Sequence, residues 1–233
     1  MATAPAQVTV EETELHTGDR MTREEFHRIY EQTPEHFKAE LIGGIVYVAS
    51  PLQLPHATNH LPLGGLFQAY ENGTAGVECG DNATILLGDE GEPQPDLFLR
   101  VLPECGGQSK TTNGYVDGAP ELISEIAHSS RAIDLHAKRE DYARYGVLEY
   151  LVLSLRERRL YWFDLRANQE LVPDADGVVR IRTFPGLWIK VEALFARDLV
   201  QMITILQQGL ATPQHAAFVQ RLALARSSGS SGT

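Results

Sequence analysis

Asp96, Glu125 and Lys138 are far apart in the chain, yet they are residue types that together suit metal-assisted hydrolysis of a phosphodiester. Asp96 follows Pro95 at the start of the short apolar run LFLRV, and Glu125 lies inside ELISEIA. Two acids delivered by neighbouring strands can bind one hard divalent cation, because Mg2+ takes about six oxygen ligands and keeps several of them as water. A metal-bound water loses its proton more readily, and the cation offsets charge gathering on a phosphate in the transition state. An ammonium such as Lys138 can then orient the water or stabilise that charge.

Each residue also has an ordinary reading. Proline followed by aspartate is common in turns. A glutamate between Ser124 and Ile126 is harder to explain away, since a strand buried on both faces disfavours an unpaired carboxylate, although an edge strand could turn it to solvent. Asp134, Lys138 and Tyr142 are four residues apart and share one helical face. From spacing alone this is an exposed ion pair worth about 0.2–0.5 kcal/mol. His56, in LPHATNH, titrates in the range that suits a proton carrier, but capping or packing near a substrate is the commoner role of a lone histidine. His128 and His136 stand only as substrate contacts. No HExxH, GxxxxGK[ST], strand-linked GxGxxG or GxSxG is present, which leaves zinc hydrolysis, loop-cradled nucleotide binding and a serine nucleophile without support.

The elements that must position these residues follow from pattern. Thr22 with Glu25 matches a capping box and starts a helix over 22–32. FKAELIGGIVYVAS reads as two strands joined at Gly43-Gly44. Residues 56–71 place Leu61, Leu66, Phe67 and Tyr70 at helical spacing, with Pro62 inside. Strands are expected in VECGDNATILL, PDLFLRV, APELISEIA, LEYLVLSL, RLYWFDL, VVRIRTF and GLWIKV. Residues 103–118 read as a long loop, Arg131 to Tyr145 as a helix, and ALFARDLVQMITILQQGL as one closing helix. The sum is an α/β domain, a mixed sheet flanked by helices. The expected organisation is a loose arm over 1–20, a single domain over 21–226 and a linker-like tail over 227–233.

Composition bounds the partners. The chain has 233 residues, net charge -11, 43% apolar residues and two cysteines, Cys79 and Cys105. A chain of this length can bury one substantial core. Two unpatterned cysteines make neither a disulfide framework nor a zinc site. Lacking a signal-peptide pattern or a membrane-length apolar run, the protein is expected to be cytoplasmic. Residues 1–104 hold seventeen acids and five bases, the remainder fourteen acids and fifteen bases, and residues 41–70 hold no charge at all. Excess acid repels phosphate backbones, so a nucleic-acid role must rely on local basic groups or metal ions. Lys110, Arg131, Arg139 and Arg144 are the candidates for phosphate contact.

The order of ELIGGIVYVASP, His56, QPDLFL, PELISEIAHSS, the spaced Asp134, Lys138 and Tyr142, and YGVLEYLVL resembles the PD-(D/E)XK nuclease superfamily, and within it the Uma-two family of restriction endonucleases, over about residues 21–195. The resemblance implies a restriction-endonuclease-like core, Mg2+ or Mn2+ held by Asp96 and Glu125, and cleavage of DNA. It also implies Glu40 as the acid brought from the first core elements, although a lone acid before an apolar strand more often faces solvent. Ala127 stands where the superfamily's simplest motif has lysine, so that role passes to Lys138, with Asp134, Tyr142 and His56 in support. The competing expectation is an inactive nuclease-fold module for binding or assembly. A homodimer would provide paired sites for paired cuts.

Overall fold

The computed structural model describes residues 14–127 and 130–229. Thr22 caps α1 (Arg23–Tyr30) by accepting from the Glu25 N–H at 3.3 Å, as the capping box implies. The β1 (Ala39–Ile42) and β2 (Ile45–Val48) hairpin turns at Gly43 and Gly44, with φ of +55° and +73°. That two-residue turn needs positive φ at both positions, which glycine adopts without strain. Phe26 and Ile29 of α1 pack on Leu41 and Val46 of the hairpin. Chain expected as a loose arm is attached here: Leu15 is buried, and Gly18 and Asp19 exchange backbone hydrogen bonds with Val46.

α2 (Leu54–Asn72) follows and buries Leu63, Leu66, Phe67 and Tyr70. Leu61, expected on that stripe, is 78% exposed, because two residues before Leu63 lie nearly opposite it on a helix with 3.6 residues per turn. In chain order come β3 (Val77–Asp81), β4 (Ile85–Leu86), β5 (Leu97–Val101), β6 (Lys110–Thr112), β7 (Tyr115–Asp117) and β8 (Leu122–Ala127). A π-helical segment, Ile133–Lys138, runs into α3 (Arg139–Tyr145). Then come β9 (Glu149–Ser154), β10 (Arg159–Asp164), β11 (Gln169–Leu171), β12 (Val178–Arg180), β13 (Trp188–Lys190), α4 (Val191–Ala196), α5 (Leu199–Leu210) and α6 (Pro213–Gly229).

Six strands form the central sheet in the order β11-β10-β9-β8-β5-β3. All neighbours are antiparallel except β8 and β9, which are parallel and joined by the crossing of π-segment and α3. Period-two alternation separates two cores. Leu122, Ile126, Leu151, Leu153, Leu160 and Trp162 join the core that includes α2 and α5. Ile123, Ala127, Val152, Tyr150, Tyr161 and Phe163 pack under Leu135 and Tyr142 of the crossing helix. Glu125 belongs to this second face.

Four further expectations change. The 103–118 loop contains a 3-10 turn at Pro103–Cys105 and the β6–β7 hairpin, turned at Asn113-Gly114 with φ of +52° and +86°. VECGDNATILL breaks at Asn82, also at positive φ, so β3 enters the central sheet while β4 pairs with β7. The closing helix splits into α4 and α5, because Arg197 is left-handed and Asp198 caps the new helix by accepting from Gln201 N–H at 3.0 Å. A further helix, α6, carries Ser227 to Gly229, which composition assigned to the tail. Among the described residues no helix is long and apolar enough to cross a membrane.

The hairpin is tied to α3 by Asp141, whose Oδ2 accepts from Gly43 N–H at 3.1 Å while the buried Oδ1 has no hydrogen-bond partner among the described residues and lies 3.9 Å from Arg144 Nη1. Burial pushes this carboxyl up to about 6, against the opposing pull of the Gly43 bond and Arg144. A carboxyl raised in the folded state binds protons there in preference to the unfolded chain, so ionised Asp141 lowers stability progressively as pH rises from about 4 to above 6. Asp141→Asn is therefore expected to stabilise the protein by about 1–2 kcal/mol at pH 8, with the gain fading toward pH 4. Thermal unfolding midpoints across that range measure it, and a gain that grows as pH falls contradicts this account.

Candidate active site

Asp96 immediately precedes β5, whose register on β8 pairs Leu97 with Ser124 and so sets Asp96 opposite Glu125. The Asp96 N–H lies 3.4 Å from Glu125 Oε2, and Ile126 N–H donates to Asp96 Oδ2 at 2.7 Å. Glu125 occupies the middle of a strand buried along its whole length. Its Oε1 accepts from Lys138 Nζ at 2.9 Å and from the Tyr142 hydroxyl at 2.8 Å. Lys138 Nζ also donates to Glu40 Oε1 at 2.9 Å, and the same oxygen accepts from Gln94 N–H at 2.7 Å. The structure thus brings Glu40 from the hairpin, Asp96 from β5, Glu125 from β8 and Lys138 from the crossing helix into one contiguous network.

The exposed-pair reading of Asp134 and Lys138 is overturned. Both are buried, and the ion-pair partners of Lys138 are Glu40 and Glu125. Asp134 accepts from Ser130 Oγ at 2.6 Å, and its carbonyl accepts from the Tyr150 hydroxyl at 3.1 Å. Helix winding contributes to the convergence. Positions four apart drift by about 40° per step on an ideal α-helix; a π-helical turn, closed i to i+5, is wider and removes part of that drift. Asp134 and Lys138 lie within the π-segment and Tyr142 just beyond it; Lys138 and Tyr142 reach Glu125 on β8, and the Asp134 carbonyl meets Tyr150 on β9.

His56 and His60, one turn apart on α2, hold Asp96 from two sides. His56 Nε2 lies 3.1 Å from Asp96 Oδ2, and His60 Nε2 lies 2.9 Å from the Asp96 carbonyl. The Asp96 bond leads in raising the His56 imidazole above its usual value, while burial opposes it. The capping role expected as commoner for His56 is not what it does. Gln94, His60, Ser130 and Tyr150 also support the network; of these only His60 carried a sequence signal, its four-residue spacing from His56. Of the four cations considered for phosphate contact, Lys110 pairs with Asp117 at 3.2 Å, Arg131 with Glu157 at 2.8 Å and Arg144 with Glu90 at 3.0 Å. Arg139 has no carboxylate partner among the described residues; it bonds Asn168 Oδ1. His136 is exposed, and His128 lies outside the described residues.

The electrostatics are those of a site short of positive charge. Burial raises the Glu125 carboxyl well above its ordinary value; Lys138 opposes this, while Asp96, Asp134 and Glu40 add to it. Burial also raises Asp134, to about 6. For Lys138, burial alone would depress the ammonium, but Glu125, Glu40 and Asp134 together hold it well above its usual value. Four carboxylates thus share one ammonium and one imidazole. Among the described residues no three His, Cys, Asp or Glu side chains already stand in a metal-holding cluster. The donor chemistry nonetheless fits a hard cation. Among the described residues Glu125 Oε2 has only the 3.4 Å hydrogen bond from Asp96 N–H, and a cation that keeps several waters needs few protein oxygens. Asp96 and Glu125 are the residues that would hold it.

Residues 23–192 match the family described as "Uma2: Putative restriction endonuclease". A solved structure described as "a putative nuclease belonging to DUF820 from Anabaena variabilis ATCC 29413" superposes with a TM-score of 0.57 at 15% identity, over 76% of this chain and 98% of that one. At that identity the likeness speaks for the fold. Among curated proteins, none matches this chain significantly. With the family match spanning most of its length, the chain belongs to the Uma2 family, and its function is of the nuclease type.

Proposed function

We propose that the protein is a DNA endonuclease dependent on Mg2+ or Mn2+. The observation that carries this reading is the Lys138 ammonium lodged between Glu40 and Glu125, with Asp96 set opposite Glu125 by strand register. A bound divalent cation would supply charge neutralisation at the phosphate and a more acidic water. Asp96 and Glu125 would hold it, and Lys138 would orient an attacking water or offset developing charge; Glu40 fixes Lys138, and Tyr142 fixes the Glu125 carboxylate. His56 and His60 hold Asp96 in the orientation that faces Glu125.

The test is cleavage of plasmid and single-stranded DNA. Mg2+ or Mn2+ is expected to give nicking or linearisation that EDTA abolishes. A second reading, an inactive nuclease-fold module, draws on the lack of a ready three-ligand cluster among the described residues, and it predicts no cleavage with either metal. Two copies would provide paired sites for double-strand cuts; light scattering reads that stoichiometry.

A further inference from the structure

On the sheet face that carries Glu125, but toward β10, the chain builds a recess of about 400 Å3 lined by Leu135, His136, Arg139, Glu140, Ala143 and Asn168. Arg139 sits over the Phe163 ring at 4.4 Å and donates to Asn168 Oδ1 at 2.6 Å. Asn168 is itself fixed at φ +48° in the turn between β10 and β11. The Phe163 ring lies against the guanidinium carbon and Asn168 takes one of the guanidinium N–H groups. No acid among the described residues takes the others, and the exposed Glu140 lines the recess without pairing to it. An arginine fixed in this way is a pre-set fork for phosphate, and the recess is of a size that takes a nucleotide-sized group.

Register relates this recess to the carboxylates. Phe163 pairs with Tyr150, and Tyr150 with Ile123, so the ring lies two strands from β8, about 10 Å at ordinary strand spacing, on the side of Glu125. The surface continues along β10. Tyr161 stands parallel to Phe163 within 9°, with Arg159 at 4.2 Å and Arg131 at 6.0 Å from its ring centre. Those two arginines are held by Glu170 and Glu157 in partly exposed pairs, which a phosphate can displace.

We propose that this recess is a phosphate site, with Arg139 as its fork, that takes a backbone phosphate of a bound nucleic-acid strand. The proposal rests on the nuclease reading for the source of the phosphate, and it gives an acidic chain a local anchor for its substrate.

The test is equilibrium binding of labelled single-stranded and duplex oligonucleotides to the full chain, in EDTA, over a series of salt concentrations. Arg139→Gln is expected to weaken binding about three- to tenfold whatever the sequence, and to reduce the salt slope by about 0.7–0.9, one phosphate contact. Arg139→Lys keeps the charge and is expected to retain the slope with part of the affinity, and exposed His136→Ala gives a smaller loss without risk to the fold. In a second arm, inorganic phosphate and deoxyadenosine monophosphate are titrated while the His136 ring protons are followed by magnetic resonance. Oligonucleotide binding with the same affinity and slope in Arg139→Gln overturns the site and leaves the nuclease reading standing. A His136 response to phosphate that Arg139→Gln removes, without any oligonucleotide binding, supports the anion site and rejects nucleic acid as its source. No response in either arm overturns the site, and the nuclease reading is then decided by the cleavage assay with metal present.

Discussion

Glu125→Gln is expected to leave a folded protein whose cleavage rate is lower by about 10³-fold or more. The prediction joins two consequences of one environment. Glutamine keeps the Oε1 that accepts from Lys138 and Tyr142, so the packing around the side chain survives. It also removes an acid whose charge is opposed by burial and by Asp96, Asp134 and Glu40, so the thermal midpoint is expected to hold or rise. What is lost is an anionic ligand to the cation, and electrostatic stabilisation of this kind contributes factors of about 10²–10³ even for a single donor. Asp96→Asn is expected to behave alike. Plasmid cleavage measured beside thermal unfolding separates the cases: parallel loss of activity and stability would make Glu125 a structural acid, and unchanged cleavage would remove it from the chemistry.

Lys138→Met is expected to lose both activity and stability. The ammonium is the shared partner of Glu40 and Glu125. Removing one member of a buried ion pair costs about 3–5 kcal/mol, because the other is left without compensation. For a chain of this size that is a fall of about 6–20 °C in the unfolding midpoint. The deficit is expected to narrow as pH falls toward 5. Glu125 and Asp134 have raised carboxyls that take up protons there, which relieves the unbalanced charge. Adding Glu40→Gln to Lys138→Met is expected to recover part of the loss, since contacting residues are not additive. A Lys138→Met protein as stable as wild type at pH 8, or a deficit that widens at lower pH, contradicts the buried network.

How legible this was in the sequence differs from element to element. The α1 cap and the Gly43-Gly44 hairpin were readable because their rules are local. Glu125 stood out because a carboxylate inside an apolar strand demands a partner. That Glu40 and Lys138 belong to the same site came from resemblance, while their pairing with one another and with Glu125 came only from the fold; spacing by itself made Lys138 a surface residue. The reason is the winding of 133–138: nothing in IDLHAK announces a π-turn, and that turn sets which side chains face the sheet. His60 offered only its spacing from His56, because what it holds is a backbone carbonyl, and Gln94 was hidden because its contact to Glu40 is through its own N–H. The β6–β7 hairpin was missed although Asn113-Gly114 is a strong turn signal, since three-residue strands show too little alternation. Helix α6, whose commonest residue is alanine, lacks a strong apolar stripe. Among the cations, sequence treated Lys110, Arg131, Arg139 and Arg144 alike; only packing distinguishes the one without an acid.

The most direct measurement of the central claim, that Asp96 and Glu125 share one divalent cation beside Lys138, is a calorimetric titration of the full chain with Mn2+. One site per chain is predicted for the wild type, weakened at least tenfold in Asp96→Asn and in Glu125→Gln alike. Absence of binding to the wild type, or wild-type affinity retained in both variants, contradicts it.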